Sequence, residues 1–235
     1  MANQEKALIV GVGEGLSASL ARLFAAEGMK VALAARNKDK LASLGAETGA
    51  AAYACDASEP NDVATLFASV TADMGEPDVV DYNASNRARG PITDLDPDAV
   101  RTAIMISCYA GFLVAQAAAK QMTARGSGSI LLTGASASVK GYPNSSSFAM
   151  GKFGLRGLAQ SLARELQPQN VHVAHFVIDG GIEKVGTDPR AANRGEDGML
   201  HPDHIAQNYL AVHRQHRSAW TLSLIHISEP TRPLY

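Results

Sequence analysis

Between its first apolar run and its first helical pattern the chain reads LIVGVGEGLSASL, with Gly11, Gly13 and Gly15 in the turn. Glycines here allow backbone angles that other residues avoid, and they let main-chain N–H groups come close to a ligand. A helix opening at Leu16 aims free N–H donors and a partial positive charge at the turn. A phosphate or pyrophosphate suits that arrangement. Ser17 stands where a further glycine is often found and can offer its hydroxyl to a phosphate. The competing reading is a tight structural turn with no ligand. Its position after a first strand and before a helix weighs against that.

A second constellation is SSSFAMGK, Ser145 to Lys152. Phe148 and Lys152 are four residues apart, so on a helix they share one face. The amine can hold hydroxyls or tune a proton donor, but a phenyl ring donates nothing. Upstream, LLTGASAS puts Ser136 and Ser138 just after an apolar run. Ser138 is the candidate polar contact to a substrate, with Ser136 beside it; ordinary turn chemistry is the alternative. A water relay through Lys152 is another proton route. Asp179, at the end of VHVAHFVI, is a candidate lining group, and His204 a weaker candidate acid. No spacing among the seven histidines, the carboxylates and Cys55 and Cys108 forms a closed metal site.

The run KVALAA ends in Arg36. In a dinucleotide site an acidic residue here would bind free ribose hydroxyls, whereas a guanidinium suits a 2′-phosphate. NADP(H) is therefore the expected cofactor and NAD(H) the alternative. Glu14, a negative charge in the glycine turn, counts against it, and a solvated arginine opening a helix is the competing reading.

These residues need rigid elements behind them. Short aliphatic runs at 6–10, 30–35, 51–55, 78–83, 129–133 and 171–178 alternate with segments of helical period. Asp96 is a suitable N-cap for a long helix over 96–125, Pro60 and Pro97 suit first helical turns, and a further helix covers 145–166. Such alternation predicts an α/β protein: a doubly wound, Rossmann-type parallel sheet in three αβα layers. The strands are nearly all apolar, as burial on both faces requires. Ligands should then meet the carboxyl ends of the strands.

With 235 residues, 46% of them hydrophobic, the chain suits one domain with a full core. A net charge of −2 argues against nucleic acid or an anionic membrane as partner. The apolar runs look too short and broken to span a bilayer. The N-terminus lacks a signal-peptide layout, and two cysteines in different elements fit a reduced, cytoplasmic setting.

Together, the turn GVGEGLS, CDAS after the third strand, YNAS after the fourth, and FAMGKFGLRGLAQSLAREL resemble the short-chain dehydrogenase/reductase family from residue 6 to about 220. The resemblance implies that Asp56 meets the adenine edge, that Asn83 and Ala84 line the cofactor, and that Gly180 and Ile182 flank the nicotinamide. It implies a Ser, Tyr, Lys and Asn proton machinery. Carried over by position, these fall on Ala135, Phe148, Lys152 and Ser107, so only the lysine survives. Lys152 would still hold the nicotinamide ribose. DYNAS and IDGG replace the family's usual NNAG-like and PG turns. The expected function is an oxidoreductase acting on a small carbonyl or alcohol by an atypical proton route. The alternative is a dinucleotide-binding protein serving as a sensor or assembly partner. A homodimer or homotetramer is expected from the family and from the apolar faces of the two long helices. The polar loop 182–200 suits a substrate lid.

The domain is expected to occupy residues 1–221. The last segment, LSLIHISEPTRPLY (222–235), back-translates in frame to a transposase-type sequencing adapter and is expected to be non-native. Its alternation also reads as an ordinary terminal edge strand.

Overall fold

The computed structural model describes residues 4–184, 188–190, 194 and 198–227. Seven strands form one sheet in the order β3-β2-β1-β4-β5-β6-β7, every neighbouring pair parallel. They are β1 (Lys6–Val10), β2 (Lys30–Ala35), β3 (Ala51–Ala54), β4 (Val79–Tyr82), β5 (Gly128–Thr133), β6 (Val171–Asp179) and β7 (Ser223–Ile227). The central strands are buried on both faces, which is why they read as mainly apolar runs, with Asp81 in β4 and His172 and His175 in β6 as buried polar exceptions.

The helices are α1 (Leu16–Ala26), α2 (Ala42–Thr48), α3 (Pro60–Met74), α4 (Pro97–Ile104), α5 (Ala110–Arg125), α6 (Ser146–Leu166) and α7 (Pro202–His213). Leu20 and Phe24 of α1 and Ile205 and Tyr209 of α7 build one core layer. Phe67 of α3, Val114 of α5 and Leu155 of α6 build the other. The expected three-layer αβα architecture is therefore the one observed. The crossover from β3 returns the chain to β4 on the far side of β1, which opens a crevice at their carboxyl ends.

The Asp96 carboxylate caps α4, accepting from the N–H groups of Asp98 at 3.2 Å and Ala99 at 3.1 Å. The helix continues from α4 into α5 through a π-helical turn, Met105–Tyr109. Such turns often sit at functional sites, and Ser107 lies in this one. The segment Pro97–Arg125 is in fact long and apolar enough to cross a membrane, contrary to the reading of short broken runs. Its hydropathy has a local cause: Ala110, Leu113, Val114, Ala118 and Met122 are buried against the sheet and its neighbours.

Candidate active site

Gly11 has φ +88° and donates its N–H to Ala34 O at 2.9 Å. A Cβ built there would lie 2.4 Å from Ala84 N, so the first turn and the loop after β4 meet at backbone distance. Cβ atoms at Gly13 and Gly15 would meet nothing within 4 Å, leaving open space above the turn. Gly15 caps α1 with no side-chain hydrogen bond, and no acidic residue lies in the first turn of that helix. The N–H donors at the helix mouth are thus available to a phosphate. Leu16 contributes only its backbone, because its side chain is buried in the α1/α7 core.

Ser17 does something other than expected. It is buried, its hydroxyl donates to Gly11 O at 3.3 Å, and it accepts from Asn83 Nδ2 at 2.5 Å. Its donor is spent on the turn, so it ties the turn to β4 and has no hydrogen for a phosphate. Asn83 N also donates to Val10 O at 2.9 Å, completing that junction.

The turn opens into a groove of 480 Å³. Arg36, Lys40, Asp56, Asn83, Ala84 and Asn86 are among the residues that line it. Asp56 Oδ1 accepts from Ser58 N at 3.0 Å and Ser58 Oγ at 2.6 Å. The Ser58 hydroxyl chiefly, with the charge of Arg36 assisting, holds this carboxyl below its ordinary range. Gly180 and Ile182 follow β6; Ile182 pairs with Leu200, and neither residue is among those lining the groove. Of the loop 182–200, residues 185–187, 191–193 and 195–197 lie outside the described set. Asp179 is engaged by Lys140 at 3.6 Å.

Lys152 is only 2% exposed, and its ammonium donates to Thr133 O at 2.7 Å. Its Nζ lies 5.9 Å from the centre of the Phe148 ring. Burial first, and the nearby Arg87 charge second, bring the amine down to about 8, with Asp81 pulling the other way. Ser138 is fully buried, and its hydroxyl accepts from Ala135 N at 3.1 Å, a turn-forming role. Ser136 is half-buried; its carbonyl accepts from Val139 N and Lys140 N, and among the described residues no partner engages its hydroxyl.

A profile of the short chain dehydrogenase family matches residues 5–190. The chain belongs to this family. The trans-4-hydroxycyclohexanecarboxylate dehydrogenase of Sinomonas cyclohexanicum is 32% identical over 184 residues, covering 72% of this chain and 70% of that protein. A short-chain dehydrogenase structure from Rhodopseudomonas palustris has TM-score 0.83 and 32% identity, covering 96% of this chain and 99% of that one. A metagenomic short-chain oxidoreductase solved with NADP has TM-score 0.82 and 25% identity, covering 94% of this chain and 96% of that one.

Within this short-chain dehydrogenase the sequence did not single out four groups. Lys40 lines the groove beside Arg36; its cue was a lysine one helical turn beyond the second strand. Arg87 lies over Phe148, its guanidinium carbon 4.4 Å from the ring centre. Asp81 is fully buried with neither oxygen hydrogen-bonded, and burial pushes its carboxyl well above the usual range. His175 is 1% exposed with neither ring nitrogen bonded, and burial chiefly brings it down to about 4. A charged residue inside a buried strand was the available signal for Asp81. Nothing in the local sequence marks Arg87.

Proposed function

We propose that this chain is an NADP(H)-preferring oxidoreductase acting on a small carbonyl or alcohol, with NAD(H) a weaker alternative cofactor. The observation that carries it is the glycine turn and uncapped start of α1 beside the groove that Arg36 lines, together with the buried Lys152 amine held at Thr133, the end of β5. The N–H groups of Gly13, Gly15 and Leu16 are the donors assigned to the pyrophosphate; Gly11, whose own N–H is bonded to Ala34 O, serves the site by letting the turn pass close to Ala84. Arg36, assisted by Lys40, receives the 2′-phosphate. Asp56 meets the adenine edge, Asn83 and Ala84 line the cofactor, and Gly180 and Ile182 flank the nicotinamide. The bound nicotinamide supplies or accepts the hydride.

Lys152 takes two parts in this reading. It holds the nicotinamide ribose, and its ammonium supplies the proton, directly or through a water. An amine brought to about 8 exchanges protons near neutral pH far more readily than an ordinary lysine. Ser136 is the freer of the two serines to orient a substrate; Ser138 would have to leave its turn. The protein is read as cytoplasmic and as a homodimer or homotetramer. Residues 1–221 form the domain in this reading, and 222–235 are a non-native tail.

The second reading is a dinucleotide sensor or assembly partner without turnover. It is favoured by Ala135 and Phe148, neither of which bears a hydroxyl at the positions where the family resemblance puts the serine and tyrosine. NADPH and NADH titrations by fluorescence, followed by turnover on carbonyl and alcohol panels, separate the readings. NADPH binds more tightly than NADH, and Arg36→Ala removes about tenfold of that preference, as losing a charge-assisted phosphate contact should. Turnover in the native chain, enhanced in Phe148→Tyr plus Ala135→Ser, supports the enzyme. Binding with no turnover in either favours the sensor, and no binding of either nucleotide ends both readings.

A further inference from the structure

Arg87 is held by its neighbours. The Ser107 hydroxyl accepts from Asn86 N at 3.0 Å and donates to Asn86 O at 2.9 Å. The Ser147 hydroxyl accepts from Ala88 N at 3.0 Å and donates to Ala88 O at 2.8 Å. Both serines are 0% exposed. Each thus spends its one hydrogen and a lone pair on a single backbone unit. One clamp comes from the π-helical turn and the other from the start of α6. They bracket Arg87 by one residue on each side, and Gly90 N adds a bond to Asn144 O at 3.2 Å. The loop is therefore a fixed mount for one side chain.

That side chain carries charge with nothing to balance it. Among the described residues Arg87 has no carboxylate partner; what it faces is the Phe148 ring. The Lys152 amine sits over the same ring; burial first, and the nearby Arg89 guanidinium second, disfavour the Arg87 charge. Arg87 is exposed, and with Lys152 it puts two cations beside one phenyl ring, which favours an anion there. A guanidinium meets a carboxylate through two parallel N–H donors, while its face can rest on an aromatic ring.

We propose that Arg87 is a substrate-binding residue that pairs with a carboxylate, so the substrate of this chain is an oxo acid or the corresponding hydroxy acid. The proposal rests on the oxidoreductase reading and names its substrate class. Phe148 then serves as the platform for the guanidinium. Arg87 is not among the residues lining the groove beside the glycine turn, so the phosphates assigned to that turn do not call on it.

The test uses the full chain with NADPH. The probes are 4-oxocyclohexanecarboxylate and linear 3- and 4-oxo acids, each beside its methyl ester. The readout is the ratio of kcat/KM for acid over ester. It is expected to exceed about 10 in the native chain, to fall toward one in Arg87→Gln, and to recover in part in Arg87→Lys. A native ratio near one, or a ratio that Arg87→Gln leaves intact, overturns the proposal. If no probe turns over, the same acids and esters are titrated calorimetrically into the NADPH-saturated chain. Acid binding that Arg87→Gln weakens tenfold or more upholds the subsite while the redox reading fails. Acids that do not bind, or that bind both forms equally, overturn the subsite.

Discussion

A lysine amine brought to about 8 gives the chemistry its own pH signature. Burial and the neighbouring Arg87 disfavour the ammonium, so this proton leaves more than two pH units below where an ordinary lysine loses it. If Lys152 supplies the proton for carbonyl reduction, kcat falls as pH rises through about 8. Oxidation, which needs the free amine, rises over the same interval. Steady-state rates in both directions from pH 6 to 10 should show limbs of opposite sign. Lys152→Met should lose both limbs along with roughly 10²–10⁴ of the rate, the usual weight of general acid–base help. A pH-independent kcat in the native chain would remove Lys152 from that role. At this scale the sequence was half legible. Lys152 declared itself by sitting four residues after an aromatic residue, because helical spacing converts directly into a shared face. Arg87 did not, because its position depends on Ser107 and Ser147, 20 and 60 residues further along the chain. The expectation for Ser17 erred for the same reason: its partner Asn83 comes from the loop after β4, 66 residues further along the chain.

The elements were legible because each advertises itself locally: apolar runs for the buried strands, Asp96 before Pro97 for the long helix, glycines for the turn. What the pattern hides is the polar content of the strands. Asp81 on β4 joins the layer beneath α7, with the Thr133 hydroxyl and Lys152 near enough to oppose the rise in its pKa. His175 on β6 lies on the α6 side near Gly134. The two should tilt stability in opposite directions. Asp81 binds its proton more tightly folded than unfolded, so the cost of keeping it neutral grows as pH rises above about 4. His175 binds its proton less tightly folded, so stability is lost as pH falls from about 6.5 toward about 4. Each slope is about 1.4 kcal/mol per pH unit at most. Urea unfolding at several pH values checks both. Asp81→Asn should gain on the native chain between pH 5 and 8, and His175→Phe should flatten the acid limb. Parallel pH profiles for native and variant chains would mean that neither group titrates as its burial implies.

At the scale of the whole molecule, the edge of the sheet decides how the final segment is to be treated. β7 pairs in parallel with β6 from His175↔Ser223 to Asp179↔Ile227, and Leu222 O accepts from His175 N at 2.8 Å. Residues 171–178 of β6 are all buried, so that strand needs a cover. Leu224 packs inward against the core, and His226 meets Asn208 at 3.1 Å, whereas Ile225 and Ile227 face out at 55% and 63% exposure. Any sequence alternating in this way would dock, whatever its origin, which is why an adapter-encoded tail and a native strand are compatible with the same pairing. Removal and surface change should therefore part company. A chain ending at Thr221 exposes β6 and should lose several degrees of Tm and self-associate. Its NADPH affinity should stay within about threefold, because the groove assigned to the phosphates and adenine lies at β1 to β4, and only the nicotinamide end, at Gly180 and Ile182, neighbours β7. Ile225→Lys with Ile227→Lys should keep the native Tm, since charges on an outward edge face cost little and deter edge pairing. Light scattering then reads the assembly. If the double-lysine chain keeps the native mass, subunits meet elsewhere, and the exposed Phe112, Met150 and Phe153 on α5 and α6 are the apolar surface available. If it falls to monomer, β7 itself is the contact between copies, whatever the origin of that segment.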